Sequence, residues 1–442
     1  MTTHTPIGAG ETKELFAPLA RFANILVAVS GGPDSLALLT LLAQWRAGEG
    51  QDAPLMTVAT VDHGLRAGSA REAEGVARYA ASLGLMHRTL VWTGDKPHTG
   101  IQHAARQARY GLLEVYAAEL SVSGATAIAT AHTRDDQAET LVMRLSRGAG
   151  VDGLSAIPAE RPIRLGSSIA LVRPLLDIPK SRLIATLQER GIAYVEDPAN
   201  ADQTFERVRV RELLRLLEDT GVSRQALATS ARRIGEARAA LDFAARQFQA
   251  GLSLALNDDI FCQFERAAFE QGPVALRHRV LSNLLDRFGG ASKPARLSEI
   301  ENMLNLLART PQMRATLGGA VVSAGKRFVR IWRESGRIGA PLLTLTPGSG
   351  ALWDQRFWVA SAAGAQCAVD VRPLGAACSN VLKSWKLAPG HPARSIEALP
   401  SFWTAGTLLA VPTLNGRGCL PNGFETPIFS ALPARSDGYV SE

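Results

Sequence analysis

The first two hundred or so residues alternate short apolar runs with helical stretches, and this rhythm constrains the fold more than any single motif. Ile25–Ser30, Leu55–Asp62, His87–Trp92, Thr126–His132 and Ile169–Arg173 read as strands. Between and after them, Asp34–Arg46, Arg71–Leu83, Ile101–Leu120, Asp135–Arg147 and Pro179–Arg190 read as helices, the fourth ending at Gly148 and the last with proline at its first position. Strands that alternate with helices form βαβ crossovers, and crossovers make a parallel sheet whose strands are buried on both faces. The expected class is α/β.

The remaining chain changes character twice. Residues 216–311 are helix-rich, with one long helix over Ser223–Leu254 whose Leu227, Ile234, Leu241 and Phe248 fall seven apart. From about Met313, short β-rich runs such as Ala320–Gly325, Arg327–Trp332, Arg356–Ser361 and Thr407–Leu414 sit between Gly/Pro turns. Three domains are expected, 1–215, 216–311 and 312–442, the last a small α/β or β-rich module. Charge follows the same division. The chain carries +7 overall, but Gln312–Arg394 alone holds 11 Lys+Arg against 3 Asp+Glu, which leaves the rest close to neutral. A basic C-terminal third suits a polyanionic partner. The four cysteines, Cys262, Cys367, Cys378 and Cys419, form no CxxC pair, which argues against a zinc, iron–sulfur or disulfide framework. No apolar run is long enough to span a bilayer and the first residues lack a secretory pattern, so a cytoplasmic location with no membrane partner is expected.

Chemistry enters at Ser30-Gly31-Gly32-Pro33-Asp34-Ser35, directly after the first strand and opening the first crossover helix. Two glycines let the backbone approach a ligand closely, and successive N–H groups at a helix N-terminus form an anion site. Ser30 and Ser35 add hydroxyl donors. The lysine of the GxxxxGK[ST] loop is absent. That favours holding pyrophosphate as a leaving group, with transfer of AMP, over transfer of a γ-phosphoryl group.

This hexapeptide resembles the signature of the PP-loop ATP pyrophosphatases, which adenylate an oxygen of a substrate and let a nucleophile displace AMP. Three further segments resemble the N-terminal domain of the tRNA(Ile)-lysidine synthetases: Val61-Asp62-His63-Gly64-Leu65-Arg66; Ala131–Thr140 with Arg144 and Arg147–Gly150; and Arg173-Pro174-Leu175-Leu176 leading to Glu196-Asp197-Pro198 and Asn200-Ala201-Asp202. The likeness covers roughly residues 20–215, and Val381–Leu414, with Lys383 and Lys386, more weakly resembles that family's C-terminal domain. The resemblance implies a PP-loop nucleotide fold and a ligase. In that reaction ATP activates the C2 oxygen of the wobble cytidine in an isoleucine tRNA with anticodon CAU. The ε-amine of free L-lysine then displaces AMP. ATP and Mg²⁺ are the expected cofactors; oligomeric state is open, a homodimer being one option. Val208 and Ala199 depart from the family pattern, which has asparagine and serine there.

The residues support the reading separately. Each motif falls at the C-terminal end of a strand, where open α/β sheets bind ligands. Asp136 and Glu139, three apart on one helix face, suit the lysine ammonium or a metal, and either carboxylate can take the proton that lysine must lose before it attacks. The expected catalytic set is Asp136, Glu139 and His132. The expected ATP set is Ser30 to Ser35 with Asp62 and His63, and the metal pair is Asp34 and Asp136. Helix capping is the competing role for Asp135 and Asp136. Arg106, Arg109, Arg144 and Arg147 are phosphate candidates. Arg207, Arg209 and Arg211, with Lys383 and Lys386, are the expected tRNA contacts. A tRNA thiolase on the same loop would need a sulfur carrier, yet residues 1–261 contain no cysteine. GMP and asparagine synthetases use ammonia, commonly from a glutaminase with a catalytic cysteine, and no such domain is visible. A binding adaptor on an inactive nucleotide fold is the non-enzymatic rival; an intact loop beside paired acids speaks against it.

Overall fold

The computed structural model describes residues 5–433 apart from 51–52, 66–67, 95, 98, 165–166, 196–205, 253, 258–259, 292–293, 338–341, 366, 380, 382–392 and 418–428. The chain forms two compact units, residues 1–238 and 239–441.

The first unit contains α1 (Ala9–Phe16), β1 (Asn24–Ala28), α2 (Pro33–Glu49), β2 (Leu55–Asp62), α3 (Ser69–Ser82), β3 (Met86–Val91) and α4 (Ile101–Leu120). There follow β4 (Thr126–Ala129), α5 (Arg134–Leu145), α6 (Val151–Leu154), β5 (Glu160–Pro162), β6 (Ala170–Val172), α7 (Lys180–Glu189), α8 (Glu206–Asp219) and the start of α9 (Arg224–Gly251). The six strands lie in the order β3-β2-β1-β4-β6-β5. All neighbours are parallel except β5, which runs against β6. The alternation along β1 explains its unbroken apolar run. Ile25 and Val27 pack with α2, α3 and α7, whereas Leu26 and Ala28 pack on the other face with α4. A strand covered by helices on both sides has no solvent face to make polar.

The α/β expectation holds. The expected helices differ at their ends. Pro179 is the N-cap of α7 rather than its first helical residue. The α5 helix stops at Leu145, two residues early, because the chain turns there: Gly148, at φ +67°, and Ala149 donate back to the carbonyls of Leu145 and Arg144.

The second unit holds the end of α9, then β7 (Ala255–Asn257), β8 (Phe261–Glu265), α10 (Arg266–Gln271), α11 (Val274–Gly289), α12 (Leu297–Arg309), β9 (Met313–Leu317), β10 (Ala320–Ala324) and β11 (Phe328–Arg333). These strands form an antiparallel sheet, β7-β8-β11-β10-β9, backed by α11 and α12 over Phe264, Leu281, Phe288, Leu304 and Ile331. The helix-rich segment thus contributes two strands to a sheet completed by residues 313–333, and one core spans position 311/312. Beyond it, β12 (Leu343–Leu345), β15 (Val369–Pro373), β16 (Pro400–Thr404) and β17 (Thr407–Ala410) form a four-stranded sheet. The strands β13 (Gly350–Trp353), β14 (Phe357–Ser361) and β18 (Phe429–Pro433) form a three-stranded one.

Candidate active site

The parallel sheet reverses direction of growth between β1 and β4, because β2 and β3 extend it one way and β6 the other. Loops leaving the carboxyl ends of two strands at such a point diverge to opposite faces and open a crevice. The loops there are the glycine loop, Ser30–Gly32, and Thr130–Thr133.

In the glycine loop, Gly31 takes φ +87°, a left-handed conformation that an L side chain rarely adopts. Gly32 is the extended N-cap of α2 and Pro33 its first residue. The Ser35 hydroxyl donates to the Gly32 carbonyl at 2.9 Å and accepts the Ser30 N–H at 3.2 Å, with the Ser30 hydroxyl 3.3 Å away. The N–H of Val195 closes the loop from outside by donating to the Gly31 carbonyl. The N–H groups at the start of α2 have no acceptor within their own helix, as at any helix N-terminus.

Asp34, on the first turn of α2, accepts from Lys180 Nζ at 3.1 Å through Oδ2. Its Oδ1 is buried and has no hydrogen-bond partner among the described residues. Burial raises its pKa despite the Lys180 ammonium, and Asp136 and Asp135 push in the same direction as burial. The α5 helix opens on a reciprocal cap. The Thr133 N–H and hydroxyl donate to Asp136 Oδ2 at 2.9 and 3.0 Å, and the Asp136 N–H points to Thr133 Oγ1 at 3.4 Å. Asp136 Oδ1 lies 3.8 Å from Arg207 Nη1. Glu139, only 2% exposed, accepts from Arg211 Nε at 2.6 Å through Oε1, while its Oε2 is buried with no partner among the described residues. Burial raises the Glu139 pKa against the pull of Arg211. Asp135 turns elsewhere: Oδ2 accepts the Lys180 N–H at 2.9 Å and so caps α7, and Oδ1 lies 3.5 Å from Arg224.

Facing these acids is a cationic wall. His132 Nδ1 lies 3.1 Å from Thr130 Oγ1. Burial holds its pKa down to about 3, with Arg173, Arg109 and Arg106 adding to the effect against Asp136, so the imidazole is neutral at pH 7. Arg173, 3% exposed, donates to the Pro158 carbonyl at 2.6 Å, and burial lowers its pKa to about 10. Burial would raise the Tyr110 phenol, but Arg106, Arg109, Arg173 and Arg161 together outweigh it and lower it. Arg109 depresses both His132 and His63, which puts the loops after β2 and β4 around one cation. His63 packs edge-on to Trp92 at 6.0 Å, and Asp62 Oδ1 accepts the Gly64 N–H at 2.8 Å.

The structure therefore gathers Ser30–Ser35, Asp34, His132, Asp136 and Glu139, with Asp62 and His63 on the adjoining strand end. Of the phosphate candidates, Arg106 and Arg109 join the wall. Arg144 instead donates to the carbonyls of Gly153 and Ala156, and Arg147 pairs with Glu206. Arg207 and Arg211, one helical turn apart on α8, lie against Asp136 and Glu139; Arg209 is exposed on another side of that helix. Lys383 and Lys386 lie outside the described residues, as does the segment around Asp197. Lys180, Tyr110, Thr133 and Arg224 were not singled out by sequence reasoning. Lys180 carries one signal, a lysine directly after the proline that opens a crossover helix.

Among the described residues no group of three or more His, Cys, Asp or Glu side chains is placed to hold a metal. Two carboxylates, Asp34 with an orphaned oxygen and Asp136 nearby, fit the sparser set that suffices for Mg²⁺ when phosphates complete its shell.

Comparison with known proteins agrees with this geometry. Residues 6–217 match the family model of the PP-loop domain ATP_bind_3. The chain is 43% identical over 347 residues to a tRNA(Ile)-lysidine synthase of a Bradyrhizobium species, covering 74% of this chain and 95% of the relative. It is 45% identical over 342 residues to that of Rhodopseudomonas palustris, covering 74% and 96%. It is 40% identical over 416 residues to that of Ruegeria pomeroyi, covering 94% and 93%. With a PP-loop domain over its first half and relatives matched along nearly their whole length, the chain belongs to the tRNA(Ile)-lysidine synthase family.

Proposed function

We propose that this chain is a carbon–nitrogen ligase that converts the wobble cytidine of an isoleucine tRNA with anticodon CAU to lysidine, using ATP and free L-lysine. The C2 oxygen of the base attacks the α-phosphorus of ATP and pyrophosphate leaves. The lysine ε-nitrogen then bonds to C2, the C2–O bond breaks, and AMP departs with that oxygen.

The observation that supports this reading is the meeting of a phosphate-type loop with two buried carboxylate oxygens, Asp34 Oδ1 and Glu139 Oε2, that have no partner among the described residues. The Ser30–Ser35 loop holds the phosphates against the α2 N-terminus. Asp34 and Asp136 would hold Mg²⁺, which would supply charge neutralisation for the pyrophosphate. Glu139 Oε2 and Asp136 Oδ1 receive the lysine ammonium, and Glu139 takes its proton. Burial raises the proton affinity of Glu139, which favours it as the base. His132, neutral, donates or accepts a hydrogen bond at the reacting base without adding charge. Asp62 and His63 border the nucleoside. Arg207, Arg209, Arg211, Lys383 and Lys386 contact the tRNA, the first and third of them by leaving their carboxylates. A cytoplasmic site of action follows from the substrates, and no described helix is long and apolar enough to cross a membrane.

The test is mass spectrometry of nucleosides from CAU-anticodon isoleucine tRNA incubated with the protein, ATP and lysine. Lysidine with equimolar AMP is expected. ATP consumption without a lysine adduct on cytidine would overturn the assignment.

A further inference from the structure

One face of the antiparallel sheet in the second unit is only half covered. Val329 and Ile331 of β11 face the core with α11 and α12. On the opposite face, Phe261, Val321 and Trp332 pack into the core of the two C-terminal sheets. The other end of that same face stays open. There the strand register aligns Gln263, Arg330, Ser323 and Arg314 in one row across β8, β11, β10 and β9. Both arginines are exposed and stand two strands apart, roughly 10 Å at ordinary strand spacing. The β10–β11 hairpin, closed by Gly325 N–H to the Phe328 carbonyl, carries exposed Lys326 and Arg327 at its tip. These strands and their hairpin bring one acid to this end, Glu265, 3.4 Å from Arg327. The arginines are also held flat: Arg314 lies over the Trp332 ring at 5.1 Å and Arg327 over Phe328 at 4.9 Å, while Arg330 donates to Gln263 at 2.6 Å.

We infer that this open sheet end is a tRNA-binding surface, with Arg314, Lys326, Arg327 and Arg330 on backbone phosphates and the Phe328 and Trp332 rings stiffening the guanidiniums. Charge complementarity selects the occupant. Four cations against one acid on a flat strand surface fit a polyanion whose charges are evenly spaced, and arginines stacked on rings lose little freedom on binding phosphate. The inference rests on the proposed tRNA substrate and adds a surface to it.

The test measures tRNA binding against salt concentration with the full chain. The variant Arg314→Gln/Arg327→Gln/Arg330→Gln is compared with an equal charge change at exposed helix and helix-cap positions of the same unit, Arg246→Gln/Arg296→Gln/Arg309→Gln. Each lost phosphate contact lowers the slope of log K against log salt by about 0.7–0.9, so the sheet variant is expected to lose about two to three units of slope and raise the KM for tRNA. Lys326→Glu, at the hairpin tip, gives a smaller change of the same sign without touching a packed ring. An unchanged slope in the sheet variants, or an equal change in the helix variant, overturns the surface assignment. Absence of lysidine with the unmodified chain would instead overturn the functional reading, and the binding comparison would still report on the surface.

Discussion

Replacing Asp136 separates two jobs that one carboxylate performs. Its Oδ2 closes the cap of α5 by accepting the Thr133 N–H at 2.9 Å. Its Oδ1, facing Arg207, belongs to the acid cluster. Asp136→Ala removes both. Thr133 is 1% exposed, so its N–H is left without acceptor or water. An unsatisfied buried donor costs about 1–3 kcal/mol, and loss of a capping interaction about 1 kcal/mol, two views of one contact that place the loss at about 1–2 kcal/mol. Asp136→Asn keeps an oxygen for the cap and deletes only the charge, so its stability is expected to fall by less than about 0.5 kcal/mol. Lysidine formation should fall in both variants by about 10²–10⁴-fold, the usual worth of a positioned acid or base. Urea unfolding followed by far-UV circular dichroism gives the first quantity, and single-turnover lysidine formation gives the second. A stable Asp136→Asn variant with unmodified turnover would refute a charge role for Asp136. Equal stability of the two variants would refute the capping role.

Arg211→Met leaves Glu139 buried with no hydrogen-bonding cation, only the more distant Arg207, and is expected to cost about 2–3 kcal/mol at pH 8, discounted from the 3–5 typical of a broken buried pair because Arg211 is 35% exposed. The Glu139 pKa is already raised on folding and would rise further, so the native state binds the proton more tightly and stability falls as pH increases from the unfolded value through the folded one; a loss of equal size at pH 5 and pH 8 in urea titrations would contradict this. Gly31→Ala forces an L residue to φ +87° and should cost about 1–2 kcal/mol while weakening ATP binding, as calorimetry would show; unchanged affinity would mean that the loop does not hold the nucleotide. Lys180→Met removes the cation at Asp34 and should move the acid limb of the rate–pH profile upward, whereas an unmoved limb would exclude Asp34 from the reacting state.

The α/β class and most element positions were legible because both signals are local. A strand buried on two faces must be apolar throughout, and a helix opening on Gly-Gly-Pro-Asp-Ser has little else to be. The partners of the acids were not legible. Asp135, Asp136 and Glu139 look alike in sequence, yet successive helix positions are turned by about 100°, so Asp135 reaches the start of α7 while Glu139 points inward under α8. Arg207 and Arg211 read as an exposed basic run. Their spacing of four also fits one face of a helix, and only the packing of α8 on α5 shows that this face meets carboxylates. Nor did the helix-rich composition of 216–311 reveal β8, whose pairing partner β11 lies about 70 residues away, or β7, which pairs with β8.

The site's cation capacity lies between helices and not along one. Asp136 gives half its carboxylate to a cap and Asp135 caps a neighbour, which leaves the unpartnered oxygens on Asp34 of α2 and Glu139 of α5. Both helices begin at the reversal point of the sheet, so both point their positive ends into the crevice that these acids line. A helix N-terminus favours anions and a buried carboxylate favours cations, and the two are compatible only with a ligand carrying both signs at short range. Nucleotide phosphates on the loop with a metal or a primary ammonium on the acids form such a ligand set. In its absence Arg207 and Arg211 each face one oxygen of Asp136 and Glu139, which in the proposed reaction sets binding of an incoming ammonium against displacement of a guanidinium.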